Sequence, residues 1–279
     1  MTFESVAYES IPHALISGIA TSLLCSAIGL FLVLRKLSLF GDALAHSAFG
    51  GVAFGLFIGV YPIWIACVIA ILSALGLTKV RQKFDISGDA IVAILLATGL
   101  GAGVILVSLA DDLDMHDIEE FLFGAVVVDT TNVLQIVVMS GIILGIIFLT
   151  YKKFLYSTFS EEQAKVSGIS VEKLNYLLIA MSGVTVVISM QLVGVLLVSA
   201  LFVIPNVSAM LYARSFKQTM MLSMCFAVTA TVSGIFISYY FDIAQSGCIV
   251  LVAAAIFVGS LVAKGSGMVK TTGILAKRA

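Results

Sequence analysis

Charge is scarce in this chain. Only 11% of its 279 residues are Asp, Glu, Lys or Arg, while 61% are hydrophobic. Soluble domains carry about 25% charged residues, so a soluble globular domain of this length is excluded. Paired cysteines are lacking too. Cys25, Cys67, Cys225 and Cys248 lie singly in or beside apolar runs, which excludes a CxxC redox or zinc motif and leaves them as small packing residues. No G-x-x-x-x-G-K-[ST] loop, HExxH or GxSxG occurs, so nucleotide binding, zincin chemistry and serine-hydrolase chemistry have no motif here. The net charge of −1 gives no reason to expect nucleic acid. The strict alternation of a β-barrel strand is also missing. The amino-terminal "MTFESVAYES" is acidic and has no basic run of the kind that opens a secretory signal.

What remains is long apolar runs. They fall near 12–34, 41–60, 62–80, 89–110, 132–151, 173–190, 192–212, 217–240 and 246–264, most of them at about the 20 residues a membrane-spanning helix needs. Only helices or closed barrels cross a bilayer, because backbone groups find no water there. The expected fold is therefore all-α, a single polytopic transmembrane domain over 1–279 with about nine spans. Two close pairs, 41–60 with 62–80 and 173–190 with 192–212, leave eight spans plus a re-entrant piece as the alternative.

The cations choose between these. Arg35 and Lys36 follow the first run; Lys79, Arg81 and Lys83 follow the third; Lys152, Lys153, Lys165 and Lys173 separate the fifth and sixth. Arg214 and Lys217 follow the seventh, and Lys264, Lys270, Lys277 and Arg278 end the chain. With nine spans and an outside N-terminus, all 15 basic residues lie on the cytoplasmic side, as does the C-terminus. The opposite side is acidic: 110–130 carries Asp111, Asp112, Asp114, Asp117, Glu119, Glu120 and Asp129 without a lysine or arginine. Its second half reads as an interfacial amphipathic helix, and the segment as a solvated loop or a docking surface.

Against this background "GDALAHSAFGG" (41–51) stands out. Asp42 and His46, four residues apart, share one helical face. A carboxylate within a membrane segment is a functional hypothesis by default, although Asp42 close behind Arg35 also fits a first-turn acid favoured by the helix dipole. Oxygen and imidazole nitrogen suit manganese, ferrous iron and zinc. Two ligands hold such an ion weakly, as a transporter requires, and a two-fold dimer would bring four together. Imidazole binds metal only when neutral, so acid should weaken the site. His13 and His116 read as interfacial or solvated.

Gly51, Gly55 and Gly59 form a stripe suited to close helix packing, as does "GLGAG" at 99–103. Pro205 lies inside a run and frees a backbone carbonyl; such a helix either lines a pathway or is simply kinked. Between the fifth and sixth runs, Ser160 caps a short helix near 161–167 with Glu161, Glu162 and Gln163 in its first turn and Gly168 at its end. No segment is long enough for an ATPase, so ATP-driven transport would need another chain.

In order along nearly the whole chain, "RKLSLFGDALAHSAFGGVAFG" (35–55), "FLFG" (121–124), "FSEEQAKVSGISVEKLNYLL" (159–178), "VGVLLVSALFVIPNVSA" (193–209) and "SGCIVLVAAAIFV" (246–258) resemble the permease subunits of zinc and manganese ABC importers, the ZnuB, MntB, TroC and PsaC type. Ala45 stands where Ser commonly precedes the histidine, and Asn206 where Ala usually follows the proline. The resemblance implies a permease homodimer in the bacterial cytoplasmic membrane, a cytoplasmic ABC ATPase and an extracytoplasmic metal-binding protein. It implies a transported divalent metal (manganese or zinc) and no permanently bound cofactor. Asp42 and His46 match the metal-coordinating pair; Glu161, Glu162, Ala164 and Gly168 fall in the coupling helix near 160–168; Gly51, Gly55 and Pro205 belong to pathway or packing.

Three rival readings have distinct signatures. A self-powered proton-coupled transporter predicts inverted repeats with paired broken helices, and no repeat is evident. An intramembrane enzyme wants a third ligand or a nucleophile. A permease for a larger metal chelate has no need of an Asp–His pair.

Overall fold

The computed structural model describes residues 3–84, 87–109, 121–122, 124 and 130–266. Among them every regular element is a helix: α1 (Phe3–Leu34), α2 (Phe40–Phe57), α3 (Pro62–Phe84), α4 (Gly88–Leu109), α5 (Thr130–Phe159), α6 (Glu161–Val166), α7 (Val171–Val193), α8 (Val195–Tyr212), α9 (Phe216–Phe241) and α10 (Gln245–Gly265). Each expected apolar run is a helix. Seven of them, α1, α3, α4, α5, α7, α9 and α10, are long and apolar enough to cross a membrane. The helices α2 and α8 have 18 residues each, about 27 Å at 1.5 Å per residue. The interfacial helix expected in 110–130 lies outside the described residues.

Burial separates the spans into two kinds. In α1 and α7, 72% and 78% of the apolar window is buried, against 17–33% in the other five. A helix apolar all round belongs in the interior, so α1 and α7 form the centre and the others carry the lipid-facing surface. The core packs α1 on α5, α7, α8 and α9, while α2 lies against α3, α4, α7 and α8.

Small residues let these helices touch backbone to backbone. A Cβ on Gly51 would lie 2.7 Å from the Cα of Ala66, and one on Gly55 2.8 Å from the Cα of Pro62, so both close α2 onto α3. On the other side, a Cβ on Gly99 would lie 2.8 Å from the Cα of Ser47. Gly51, Gly55 and Gly99 are thus packing devices that hold α2 between α3 and α4, whereas Gly59 and Gly101, expected in the same stripes, have nothing within 4 Å of a Cβ position and do not pack helices together.

The helix ends follow local chemistry. Three close with the paired carbonyl bonds of a Schellman motif. At the end of α1, Leu37 N–H donates to Leu32 O and Lys36 N–H to Val33 O, with Lys36 left-handed at φ 59°. At the end of α2, Val60 bonds to Gly55 O and Gly59 to Leu56 O with Gly59 at φ 70°, so α2 stops at Phe57 although the apolar run continues to 60. At the end of α6, Ile169 bonds to Ala164 O and Gly168 to Lys165 O with Gly168 at φ 77°.

Candidate metal site and coupling segment

The helix α2 starts at Phe40 and places Asp42 in its first turn, where the exposed N–H groups favour a negative charge. One turn on, His46 Nε2 lies 3.8 Å from Asp42 Oδ1. The side chains are 28% (Asp42) and 13% (His46) exposed, so neither is sealed in the core. The imidazole Nδ1 is buried and has no hydrogen-bond partner among the described residues. The pair thus offers one oxygen and one nitrogen towards the same space.

Its setting is rigid. Residue 47, directly after His46, donates from Ser47 Oγ to Ser73 Oγ of α3 at 2.7 Å. On the α4 side the backbone at His46 and Ser47 abuts Gly99. The Phe202 ring of α8 lies against Gly41, 3.5 Å from where a Cβ would stand. Ala45 is fully buried. No group of three or more His, Cys, Asp or Glu residues that could hold a metal ion occurs among the described residues. Among the described residues the pair therefore offers two donor groups, fewer than the four of a tetrahedral zinc site.

Pro205 is inside α8 and buried. The next residue, Asn206, is fully buried; its amide donates to Phe202 O at 2.8 Å, and its Oδ1 accepts from Ser223 Oγ of α9 at 2.6 Å. Ser223 in turn meets Ser26 of α1 at 2.7 Å. Asn206 thus joins three helices through hydroxyl contacts. The backbones of α1 and α8 meet close by, since a Cβ on Gly29 would lie 2.2 Å from Phe202 O. Farther along, Gly124 has φ 93°, and a Cβ there would lie 2.5 Å from Leu192 O beside the α7–α8 break at Gly194. That explains the terminal glycine of "FLFG".

The segment around α6 has the expected caps. Ser160 Oγ accepts from Gln163 N, Glu161 and Glu162 occupy the first turn, and Gly168 closes the end. Ala164 is fully buried, whereas Glu161, Glu162 and Val166 are exposed, Val166 at 91%. So α6 seats one small residue on the bundle and presents the rest outward. Asp42 and His46 are brought together; Glu161, Glu162, Ala164 and Gly168 gather separately at the end of the bundle where α1, α3 and α5 finish.

One residue at that end read in the sequence only as a positive charge. The guanidinium of Arg35 donates to Ser157 Oγ at 3.0 Å, to Thr158 Oγ1 at 3.4 Å and to Asn175 Oδ1. Burial pulls its pKa below the usual arginine value, and the charge of Glu161 works in the opposite direction. The only sequence signal for this role was the basic pair 35–36 directly before the Asp–His helix.

The ABC 3 transport family matches residues 7–264. The manganese transport system membrane protein MntC of Listeria monocytogenes is 31% identical over 251 residues, covering 90% of this chain and 89% of that protein. The high-affinity zinc uptake system membrane protein ZnuB of Haemophilus influenzae is 30% identical over 255 residues, covering 91% and 97%. Among solved structures, PsaBC from Streptococcus pneumoniae in complex with Fab superposes with a TM-score of 0.81 at 34% identity, covering 89% of this chain and 90% of that one.

Proposed function

The chain belongs to the ABC 3 transport family, and from that premise we propose that it carries a divalent transition metal, manganese or zinc, through the cytoplasmic membrane with Asp42 and His46 as a transient way-station. It is a multi-pass membrane permease and a transport subunit, and it hydrolyses no ATP itself. The observation that carries the cargo reading is the facing carboxylate and imidazole on α2, 3.8 Å apart in a membrane-embedded bundle. Their donor atoms suit manganese and zinc. Relatives named for manganese and for zinc match at nearly equal identity, and one named for chelated iron matches at 30%, which supports a transition-metal cargo without choosing the metal.

On this reading α2 and α8 join the seven longer helices as spans, giving nine, with the N-terminus outside and all cations within. A homodimer aligns two Asp42–His46 pairs and supplies four ligands, which answers the shortfall of a single chain. An extracytoplasmic metal-binding protein delivers the ion from the acidic side. A cytoplasmic ABC ATPase engages α6 through Glu161, Glu162 and the exposed turn that Gly168 ends, with Ala164 as the seat. Pro205 and Asn206 belong to the packed interior between α1, α8 and α9. Residues 1–279 act as one domain.

The test uses cells depleted of their own manganese and zinc importers. They express the chain with its ATPase and binding protein, and cellular metals are measured by elemental analysis. One metal should rise with the wild type, and Asp42→Ala or His46→Ala should abolish the rise at equal membrane expression. Equal accumulation by both variants would remove the way-station. No accumulation by an assembled complex would remove the cargo.

A further inference from the structure

We propose that Arg35 is the positioning residue that carries movement of α6 to the Asp42 helix. The inference rests on the reading of α6 as the ATPase contact.

The geometry assigns the role. Apart from the seat of Ala164, α6 is tied to the bundle by its two ends. The entry to α6 is the last turn of α5, with Ser157 and Thr158, joined to it through Ser160 alone; the exit is the start of α7, one turn before Asn175. Arg35 holds both: Nη2 and Nε donate to the α5 pair and Nη1 to Asn175. A planar fork with five donors can span such a divided acceptor set, whereas an ammonium is a single point charge.

The other side of Arg35 leads to the metal pair. The residue caps α1 within the Schellman turn, where its N–H donates to Phe31 O and Leu32 O. Five residues later α2 begins, and Asp42 is in its first turn. The turn is braced by Lys36 and Leu37 bonds to Val33 O and Leu32 O, and Phe40 N–H bonds to Leu37 O. Displacement of the guanidinium therefore reaches the start of α2 through closed turns with little slack.

Space for the displacement is present. Arg35 lines a cavity of about 650 Å³ with Thr78, Ser87, Glu161 and Asn175. The cavity separates the ends of α3 and α4 from the α5–α6–α7 hairpin. The cavity leaves room beside the hairpin on the side of α3 and α4. The half-buried charge is held there by acceptors on α5 and α7, so breaking the grip takes its fixed partners from the guanidinium.

The permease, reconstituted with its ATPase and binding protein in proteoliposomes, gives two readouts: ATP hydrolysis and metal uptake. Arg35→Ala should retain assembly and hydrolysis while uptake per ATP falls roughly 5-fold or more, the range of a typical coupling energy. Arg35→Lys keeps the charge and loses the fork, so it should remain uncoupled. Full coupling in Arg35→Lys would overturn the proposal, because charge alone would then suffice. Should Arg35→Ala fail to accumulate, Ser157→Ala and Asn175→Ala each remove one end of the grip, and each should lower uptake per ATP. Wild-type coupling in both would overturn the inference alone. ATP-driven uptake that survives charge reversal of Glu161 and Glu162, with no ATPase bound at α6, would overturn the α6 reading and this inference with it.

Discussion

A single methyl group placed at Gly99 should loosen the metal-site helix. The new Cβ would stand 2.8 Å from both Cα and N of Ser47 and 2.9 Å from the carbonyl carbon of His46. Carbon atoms settle at about 3.5–4.0 Å, so α4 and α2 must part by roughly 0.6–1.2 Å. The obstacle is backbone on both helices, which no rotamer change relieves. Overpacking of a tight interior costs about 1–3 kcal/mol, and each 1–2 kcal/mol is about 5–30-fold in the folded-to-unfolded ratio. Gly101, two residues along the same helix, has nothing within 4 Å of its Cβ position. Gly101→Ala should therefore be neutral or slightly stabilising. The assay is unfolding in one mild detergent, by heat or by titrated dodecyl sulfate, followed by helical circular dichroism, with metal uptake beside it. Gly99→Ala should unfold earlier and lose uptake, because the displaced backbone is that of His46. If it unfolds with the wild type, or if Gly101→Ala falls as far, the account of α2 as a helix clamped by backbone contact is wrong.

Two further expectations concern the remaining joints. Removing the Asn206 amide by Asn206→Ala should destabilise by about 0.6–2 kcal/mol, the range for interhelical hydrogen bonds in membranes; with Ser223→Ala the double variant should lose less than the sum, and strict additivity in the same unfolding assay would show that Asn206 and Ser223 do not act together. At Gly168, φ is 77°, and the left-handed form costs a residue with a Cβ roughly 1–2 kcal/mol. Gly168→Ala should therefore speed hydrogen exchange at the α6 amides while leaving α7 and α8 protected, and unchanged α6 exchange would refute the strain.

The helices were legible because a membrane reduces the choices: an apolar run of spanning length has to be helical. Ser160 and Gly168 were legible because caps are local chemistry. Gly51 and Gly55 could be read as packing residues from spacing, but their partners Ala66 and Pro62 could not. Arg35 shows the limit most clearly. The distribution of cations reveals which side of the membrane a residue occupies, and nothing about Ser157 or Asn175, which are more than 120 positions away. Asn206 had the same difficulty. In the sequence it stood out only as a departure after Pro205, whereas its side chain is committed to Ser223 and Phe202 O. The Asp42–His46 contact was legible in full, because one helical turn fixes it.

The burial of α1 has a consequence for biosynthesis. Nearly three quarters of its apolar window is covered, and much of the covering is made late: Gly18 rests on Thr231 and Ile235, and Ser26 on Ser223. α1 is thus made some 200 residues before Ser223, Thr231 and Ile235. Contacts so distant in sequence form slowly, and incomplete intermediates expose their unpaired surfaces in the meantime. Truncation within α9 should therefore strand α1 with Ser26 unpartnered in the membrane, so that quality control would find the fault at α1 although the lesion lies some 200 residues away.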